Sequence, residues 1–501
     1  MSTTTMSGLR PPPGELEEAV REIRGKIAEA RDLERMGYGE ASFSLASEAR
    51  AAAEALAYRP LVAEAKAQAA RALDGRQTCE ARSEAENLYF DALDIAEAER
   101  HDVLAAMIWS RLVLLAIQMD CDTQRAHDWW RRADAAVRRI GDPALERAKL
   151  HYLRSEICYR EGGYCAAENE ARQAIAVIAQ SSDGEPTLQQ RHELGLYHGA
   201  LAKSLEPQSQ SAKALGYHEQ ALKITGDVLD ASHPDVVKLQ MNYGLALKRA
   251  GQMGRARSVL DAALASMALR RCATCMDAGV LQAYLSDVNY EEGKLEDAIA
   301  CGHASRQILE GLGAPAHRCA DAYTCIGNAE LKRGNFPAAL EMYNDALALR
   351  RRGLGSEHYQ IGVNEGSIAE ALVRLARYDE AIEHAREADR ILVRGAAHGN
   401  AVKAWVLGVL GEALVGQQEL GEGVTVLERA LLLFEQAPQP SNQAHAMRAL
   451  ARALRALGTD LVRAGELASR SRALFAALGI PDAPPDPPRG SAANGSLPLP
   501  V

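Results

Sequence analysis

The chain has 501 residues, a formal net charge of −10, 47% hydrophobic, 25% charged and only 5% aromatic residues. That length exceeds one compact core and suits several domains or one long array of repeats. The acidic balance argues against a nucleic-acid wrapper or an anionic membrane surface as the main partner, and abundant Ala and Leu favour helices over sheets.

The opening "MSTTTMSGLRPPP" has no apolar core of the kind a secretory signal needs. Residues 1–14, and the Pro-rich 480–501, lack an apolar pattern and read as disordered tails. The apolar runs "RLVLLAIQM" and "AWVLGVLGEALVG" are too short or too interrupted to span a bilayer. Nine cysteines, an odd number at scattered spacings, fit a reducing compartment better than a disulfide framework. These readings place the chain in the cytoplasm, with no membrane insertion.

Between the tails the sequence repeats itself. Small residues that open a helix recur at Ala41, Ala85, Ala126, Ala167, Ala214, Ala256, Ala298, Ala339, Ala381, Gly423 and Ala464, at steps of 41 to 47 residues. Seven residues later a second small residue follows at Ala92, Ala133, Ala174, Ala221, Ala263, Ser305, Ala346, Ala388, Ala430 and Ser471; only the first unit breaks the rule, with Glu48. Twelve residues before the marker stand Gly244, Ser286, Gly327, Ala369 and Gly411, whereas Leu73 and Leu114 hold that place upstream. An aromatic or aliphatic residue (Tyr164, Met253, Leu295, Phe336, Tyr378, Leu420) lies three before the marker, after a turn such as "LKRGNFPAA".

Each unit is thus a helix, a tight turn, a second helix and a longer connection. Two helices approach closely only where the crossing carries Gly, Ala or Ser. A hairpin of this size cannot bury its apolar face alone, so it stacks on the next and the core runs along the array. The 47-residue step holds a polar insert, "LEPQSQSAK", which marks an irregularity near 205–212.

The pattern small-x11-Ala-x6-Ala resembles the tetratricopeptide repeat, and the period near 42 with "LDASHPDVVKLQMNYGLALKRAGQMGRARSVLDAAL" resembles its kinesin-light-chain variety. The segment "WWRRADAAVRRIGDPALERAKLHYLRSEICYREGGY" is similar to repeat regions that follow the catalytic domain of large myxobacterial serine/threonine kinases. This chain has no His-Arg-Asp loop, Asp-Phe-Gly or glycine-rich phosphate loop. The resemblance implies an all-α, right-handed α-solenoid of about eleven stacked antiparallel hairpins over 15–479.

The resemblance also implies that the first helix of each hairpin lines a concave groove. Residues six and three before the third mark, and one and four after it, then face inward. These include Lys238 and Lys248 with Asn242 adjacent, Asp287 and Tyr290 with Tyr284 near, Asp321 and Asn328, and Glu370. An Asn amide pairs with both N–H and C=O of an extended peptide. The groove lacks the run of Lys and Asn that carboxylate-clamp members use for acidic C-termini, so that ligand is not expected.

Catalytic motifs fail. "HELGL" at His192 and "HEQAL" at His218 lack the second His one turn on, and Gly411-x4-Gly416 is followed by Gln-Gln within a helix. One constellation stands out: Cys272 and Cys275 lie one period before His317 and Cys319, so two neighbouring connections bring three Cys and a His to one edge. A tetrahedral zinc site, a redox Cys-x-x-Cys and cysteine simply replacing Ala are the alternatives, and the last is expected, with no metal or other cofactor. Trp129 and Trp130 read as core, and Arg350 to Arg352 as a solvated helix end. The expected function is a non-catalytic scaffold that holds a peptide or partner domain in the groove, in bacterial signalling; the alternative is a ligand-responsive regulator that switches a partner's output.

Overall fold

Runs of Ala, Leu, Glu and Arg that favour helix are cut at regular places by residues with a left-handed backbone, and this alternation builds the whole architecture. A computed structural model describes residues 11–36, 38–75, 78–119, 123–181, 184–208, 210–269, 275–354, 356–394 and 400–479. The tails at 1–10 and 480–501, and Cys272, lie outside the described residues. Among the described residues there are 22 α-helices and no strand. None of these helices is long and apolar enough to cross a membrane.

The helices fall into two compact units, 1–356 and 357–501. The first unit contains eight hairpins: α1 (Glu17–Arg35) with α2 (Gly39–Leu56), α3 (Arg59–Asp74) with α4 (Cys79–Ala98), α5 (Asp102–Met119) with α6 (Thr123–Arg139), and α7 (Ala144–Arg160) with α8 (Tyr164–Ser181). It continues with α9 (Leu188–Leu205) and α10 (Ser211–Gly226), α11 (Pro234–Arg249) and α12 (Met253–Leu269), α13 (Met276–Glu291) and α14 (Leu295–Gly311), and α15 (Ala316–Arg333) and α16 (Phe336–Gly353). The second contains α17 (Tyr359–Arg374) with α18 (Tyr378–Arg394), α19 (Asn400–Gln417) with α20 (Leu420–Gln436), and α21 (Pro440–Leu457) with α22 (Leu461–Ala477). A short 3-10 helix at Glu206–Gln208 occupies the polar insert between α9 and α10.

Each hairpin packs its two helices together, and each second helix packs on the next first helix within its unit. The architecture is an all-α solenoid. The small residues sit where that packing demands them. From Ala85 to Ala464 every marker is buried, as is every residue seven further on. The first hairpin differs from the sequence reading. Ala41 is exposed, and the buried pair is Ser42 and Ala49, one residue later. The reason is a hydrogen bond: Ser42 Oγ donates to the Ala30 carbonyl at 2.8 Å across the crossing. Ser155 and Ser286 bond across their own crossings to the carbonyls of Ala167 and Ala298, at 2.8 and 2.6 Å, over the same twelve-residue separation.

A second pairing, sixteen residues apart, was not read from the sequence. A Cβ on Gly244 would lie 2.5 Å from Leu260, one on Gly327 would lie 2.6 Å from Tyr343, and Gly411 stands likewise to Leu427. Where the first helix does carry a Cβ, at Ser286 and Ala369, the residue sixteen further on shrinks to Gly302 and Ala385. Volume is thus conserved at these five crossings, as close packing requires.

In six hairpins the inner turn uses one left-handed residue five before the marker, whereas between α21 and α22 Gly458, six before it, takes φ 69°. Gly162, Gly251, Gly293 and Gly334 take φ of 76°, 74°, 77° and 89°; Ala376 and Gln418 take the same place at 58° and 76°. At α15 the turn closes with Asn335 N–H donating to the Glu330 carbonyl at 2.9 Å, which satisfies a carbonyl the helix end would otherwise leave open. His233 and His358 cap α11 and α17, each Nδ1 accepting from the backbone N–H two residues on, at 3.1 and 3.2 Å. His358 does this although Tyr359 replaces the proline found after His233.

Candidate functional site

The first helices of successive hairpins present polar side chains that meet one repeat apart. In the first unit Lys248 Nζ lies 2.6 Å from Asp287 Oδ2, joining α11 to α13. Asp287 also accepts from Cys325 Sγ at 3.4 Å, extending the row to α15. Burial, and then Asp287, push the Cys325 thiol well up, so it stays a protonated donor. Lys332 Nζ donates to the Tyr290 carbonyl at 2.8 Å and sits 4.2 Å from the centre of that ring. Lys238 is 4.0 Å from Asp277, which raises its pKa, and 41% of its side chain stays exposed.

The structure therefore joins Lys248 to Asp287 and the Tyr290 carbonyl to Lys332, while Lys238, ten residues before Lys248 on α11, pairs with Asp277 instead. Asn242 lies half-buried on α11, and Tyr284 is half-buried against the apolar cluster of Leu281 and Val237. Burial raises the Tyr284 hydroxyl, with smaller opposing effects from Arg318 and Asp321 on α15. Two of the sequence candidates turn instead toward their own hairpin. Asn328 Oδ1 accepts from the Tyr343 hydroxyl at 2.8 Å, and Asp321 pairs with Arg350 at 3.0 Å. Arg350 is 5% exposed, so it is not the solvated helix end expected from its neighbours. Its position one turn from the helix end faces it to α15, where Asp321 offsets the cost of burial.

The same repeat-to-repeat row runs through earlier hairpins, where the sequence reading named no site. Glu64 on α3 accepts a forked pair of bonds from Arg24 on α1, at 3.0 and 2.8 Å, and lies 3.6 Å from His101. Arg71 pairs with Glu34, Lys203 with Glu156 at 2.8 Å, and His192 with Asp235 at 2.8 Å. Arg111 stays charged because the carboxylates of Glu34, Asp74 and Glu193, with the Tyr89 hydroxyl, outweigh the effect of its burial. The signal for the four pairs was present: complementary polar groups on first helices, separated by about one repeat.

The first unit also returns on itself. His233 Nε2 lies 2.7 Å from the Arg35 carbonyl, 198 residues away, joining the start of α11 to the end of α1. Because His233 Nδ1 accepts from Asp235 N–H, Nε2 carries the proton and donates to Arg35. His192 stacks edge-on to His233 with ring centres 5.8 Å apart, and both neighbour Asp235.

In the second unit, Glu370 accepts from Trp405 Nε1 at 3.0 Å and lies 3.9 Å from Arg374. Arg374 reaches Glu412 on α19 at 3.1 Å and His445 Nδ1 on α21 at 3.4 Å. Burial raises the Glu370 carboxyl.

Of the metal candidates, Cys319 is 5% exposed in an apolar cluster with Met276 and Leu309, and its Sγ lies 3.6 Å from the Ala314 carbonyl. Cys275 is the residue before α13, and His317 is buried beside Gly353. No group of three or more His, Cys, Asp and Glu able to hold a metal occurs among the described residues, which do not include Cys272. Trp129 is buried against Phe90, and the half-buried Trp130 donates to the Leu150 carbonyl at 2.9 Å.

The family model for the tetratricopeptide repeat matches residues 318–392, the stretch from α15 to α18. No curated protein matches the sequence. Among solved structures, NprR in complex with its cognate peptide NprX aligns over 74% of this chain and 97% of that one, at 14% identity and a TM-score of 0.47. BtubC (BKLC) from P. vanneervenii aligns over 49% of this chain and 91% of that one, at 16% identity and a TM-score of 0.37. A Signal Transduction ATPase with Numerous Domains from Pyrococcus horikoshii, with a tetratricopeptide repeat sensor, aligns over 70% of this chain and 53% of that one, at 13% identity and a TM-score of 0.46.

Proposed function

We propose that this tetratricopeptide-repeat protein is a non-catalytic scaffold that holds an extended peptide or a partner domain along its first-helix faces. The observation that supports the reading is the set of polar contacts joining consecutive first helices, Lys238–Asp277 and Lys248–Asp287 between α11 and α13, and Asp287–Cys325 and Tyr290–Lys332 between α13 and α15. Neighbouring helices stand about 8–10 Å apart, and an extended chain advances roughly 3.3 Å per residue. Each hairpin thus meets about three residues of a bound strand. Asn242 offers an amide that both donates and accepts, and Tyr284 offers a half-buried ring with a polar tip, the combination that suits a polypeptide.

Individual surface ion pairs contribute little to stability, typically under about 1 kcal/mol. Their value here is order: side chains already held in place lose less freedom when a partner arrives. A setting in bacterial signalling rests on the resemblance of residues 129–164 to kinase-linked repeats. The test is affinity capture with the full chain as bait, comparing the unmodified protein with the double variant Asn242→Ala, Tyr284→Ala. A single stoichiometric polypeptide held by the first and lost by the second, with both melting alike, supports the reading. Equal capture by both contradicts it.

A second reading, a ligand-responsive regulator, is favoured by the His233–Arg35 contact. If this closure can open, a ligand that prefers one of the two states shifts the balance. A small metabolite or peptide that raises Tm sharply and also changes exchange at α1 would favour this reading over the scaffold.

A further inference from the structure

In the second unit three first helices converge on one imidazole. Arg374 from α17 and Arg448 from α21 both direct Nη2 at His445 Nδ1, at 3.4 and 3.1 Å. A guanidinium has no acceptor, so His445 Nδ1 is the lone pair and the ring is neutral with its proton on Nε2. Glu412 from α19 lies 3.1 Å from Arg374 and 4.0 Å from Arg448, and Arg452 also acts on it. On the fourth side α22 contributes Phe475, whose ring meets His445 edge-on at 4.9 Å and carries the Arg448 guanidinium 5.3 Å from its centre. The charges facing this point are thus three guanidiniums against Glu412 and Glu370, and Glu370 already accepts from Trp405.

This is an unusual use of two cations. A neutral nitrogen is a weaker acceptor for a guanidinium than a carboxylate, whose charge-assisted bonds are roughly twice as strong. About a fifth of the Arg374 side chain and a third of Arg448 remain open to solvent, so another acceptor can reach them. We propose that Arg374, His445 and Arg448 form an anion subsite that receives a carboxylate side chain of an acidic peptide segment, His445 holding the two arginines until the carboxylate takes them over. This rests on the reading that first-helix faces hold a polypeptide and names the chemistry of one stretch of it.

Binding at such a site takes up a proton. Burial, with Arg374 adding to it, pushes His445 down to about 4, so the free site is unprotonated at neutral pH. An incoming carboxylate draws the two guanidiniums away from Nδ1 and places a negative charge beside the ring. The ring's pKa then rises, the bound state carries more protons than the free state, and affinity increases as pH falls. Glutamate side chains, with an unperturbed pKa of about 4.3, stay ionised across the range in which this occurs.

The experiment is fluorescence anisotropy of a fluorescein-labelled decaglutamate peptide titrated with the full chain at pH 8, 7 and 6. We expect binding that tightens on acidification, by up to about tenfold per pH unit for one linked proton. Arg448→Gln should weaken it by about tenfold or more with Tm unchanged, and His445→Asn, which keeps an acceptor but does not titrate, should bind with a flat pH profile. No binding, equal binding by Arg448→Gln, or a flat profile in the unmodified chain would overturn the proposal. So would full displacement by inorganic phosphate at equal concentration, which would mark a generic anion site. A chain that fails with decaglutamate yet still captures a partner through Asn242 and Tyr284 overturns this subsite alone. One that binds decaglutamate and captures nothing overturns the scaffold reading instead.

Discussion

A Cβ placed on Gly327 would lie 2.6 Å from the ring of Tyr343, and that ring fixes its hydroxyl on Asn328 Oδ1 at 2.8 Å. The glycine and the tyrosine are two halves of one packing decision, made sixteen residues apart. Gly327→Ala forces the fully buried ring to move, and overpacking of this kind costs about 1–3 kcal/mol. Tyr343→Ala leaves a cavity and costs roughly 3–5 kcal/mol. Together they should cost less than the sum, with a coupling of about 0.5–3 kcal/mol as expected for residues in contact. Denaturant unfolding of the two single variants and the double variant measures this; strict additivity would separate the residues energetically.

Ala376 occupies a left-handed turn position, φ 58°, where four other hairpins have glycine. A residue with a Cβ pays roughly 1–2 kcal/mol there. Ala376→Gly relieves that strain but loosens the unfolded chain, so a net gain of about 0.5–1 kcal/mol is expected. A higher denaturant midpoint at unchanged slope is the check. The reverse change, Gly334→Ala at φ 89°, should destabilise.

Most of the fold was legible because repetition amplifies weak signals. One Ala says nothing, whereas Ala339 and Ala346 repeated in step through the chain dictate a hairpin and its crossing. The first hairpin was misread by one residue because Ala41 and Ser42 are both small, and only the Ser42 hydroxyl bonded to the Ala30 carbonyl decides between them. The candidate site was half legible. Lys248 and Asp287 follow from helix register, but Asn328 lies at the same register and turns to Tyr343, since a glycine one residue earlier admits the ring. The contact of His233 with Arg35 depends on how tightly the first unit winds, which accumulates from small angles at each hairpin and leaves no local mark in sequence.

His233 does two things, and two substitutions separate them. His233→Ala removes a helix cap, worth about 0.5–2 kcal/mol, as well as the bond to Arg35. His233→Asn keeps a capping acceptor and is too short to reach Arg35. Amide exchange in the last turn of α1 should accelerate in both, while unfolding free energy falls mainly in His233→Ala. Unchanged exchange in both would show that the contact does not hold α1.

The His192–Asp235 pair makes stability depend on pH in two directions. Burial raises the Asp235 carboxyl, but the His192 hydrogen bond and the charges of Lys238 and His192 more than reverse this, leaving it below its usual range. Its stabilisation is present above the unfolded pKa of about 3.9 and is lost as pH falls through the lower folded value. Burial lowers His192, and the Asp235 hydrogen bond and charge overcome that, leaving it raised. That contribution is complete below about pH 6.5 and fades as pH rises through the folded value. The pair therefore contributes most between about pH 4 and 6.5. His192→Asn should flatten the alkaline side of that profile, and an unaltered profile would assign it to other groups.

The central claim is that the first-helix faces hold the partner. The most direct measurement is site-specific photo-cross-linking in cells, with benzoylphenylalanine replacing Tyr290 on the first helix of its hairpin or the exposed Gln307 on the second. A discrete adduct of one polypeptide from position 290, and none from position 307, is the expected result. An adduct from position 307 with none from 290 would contradict it.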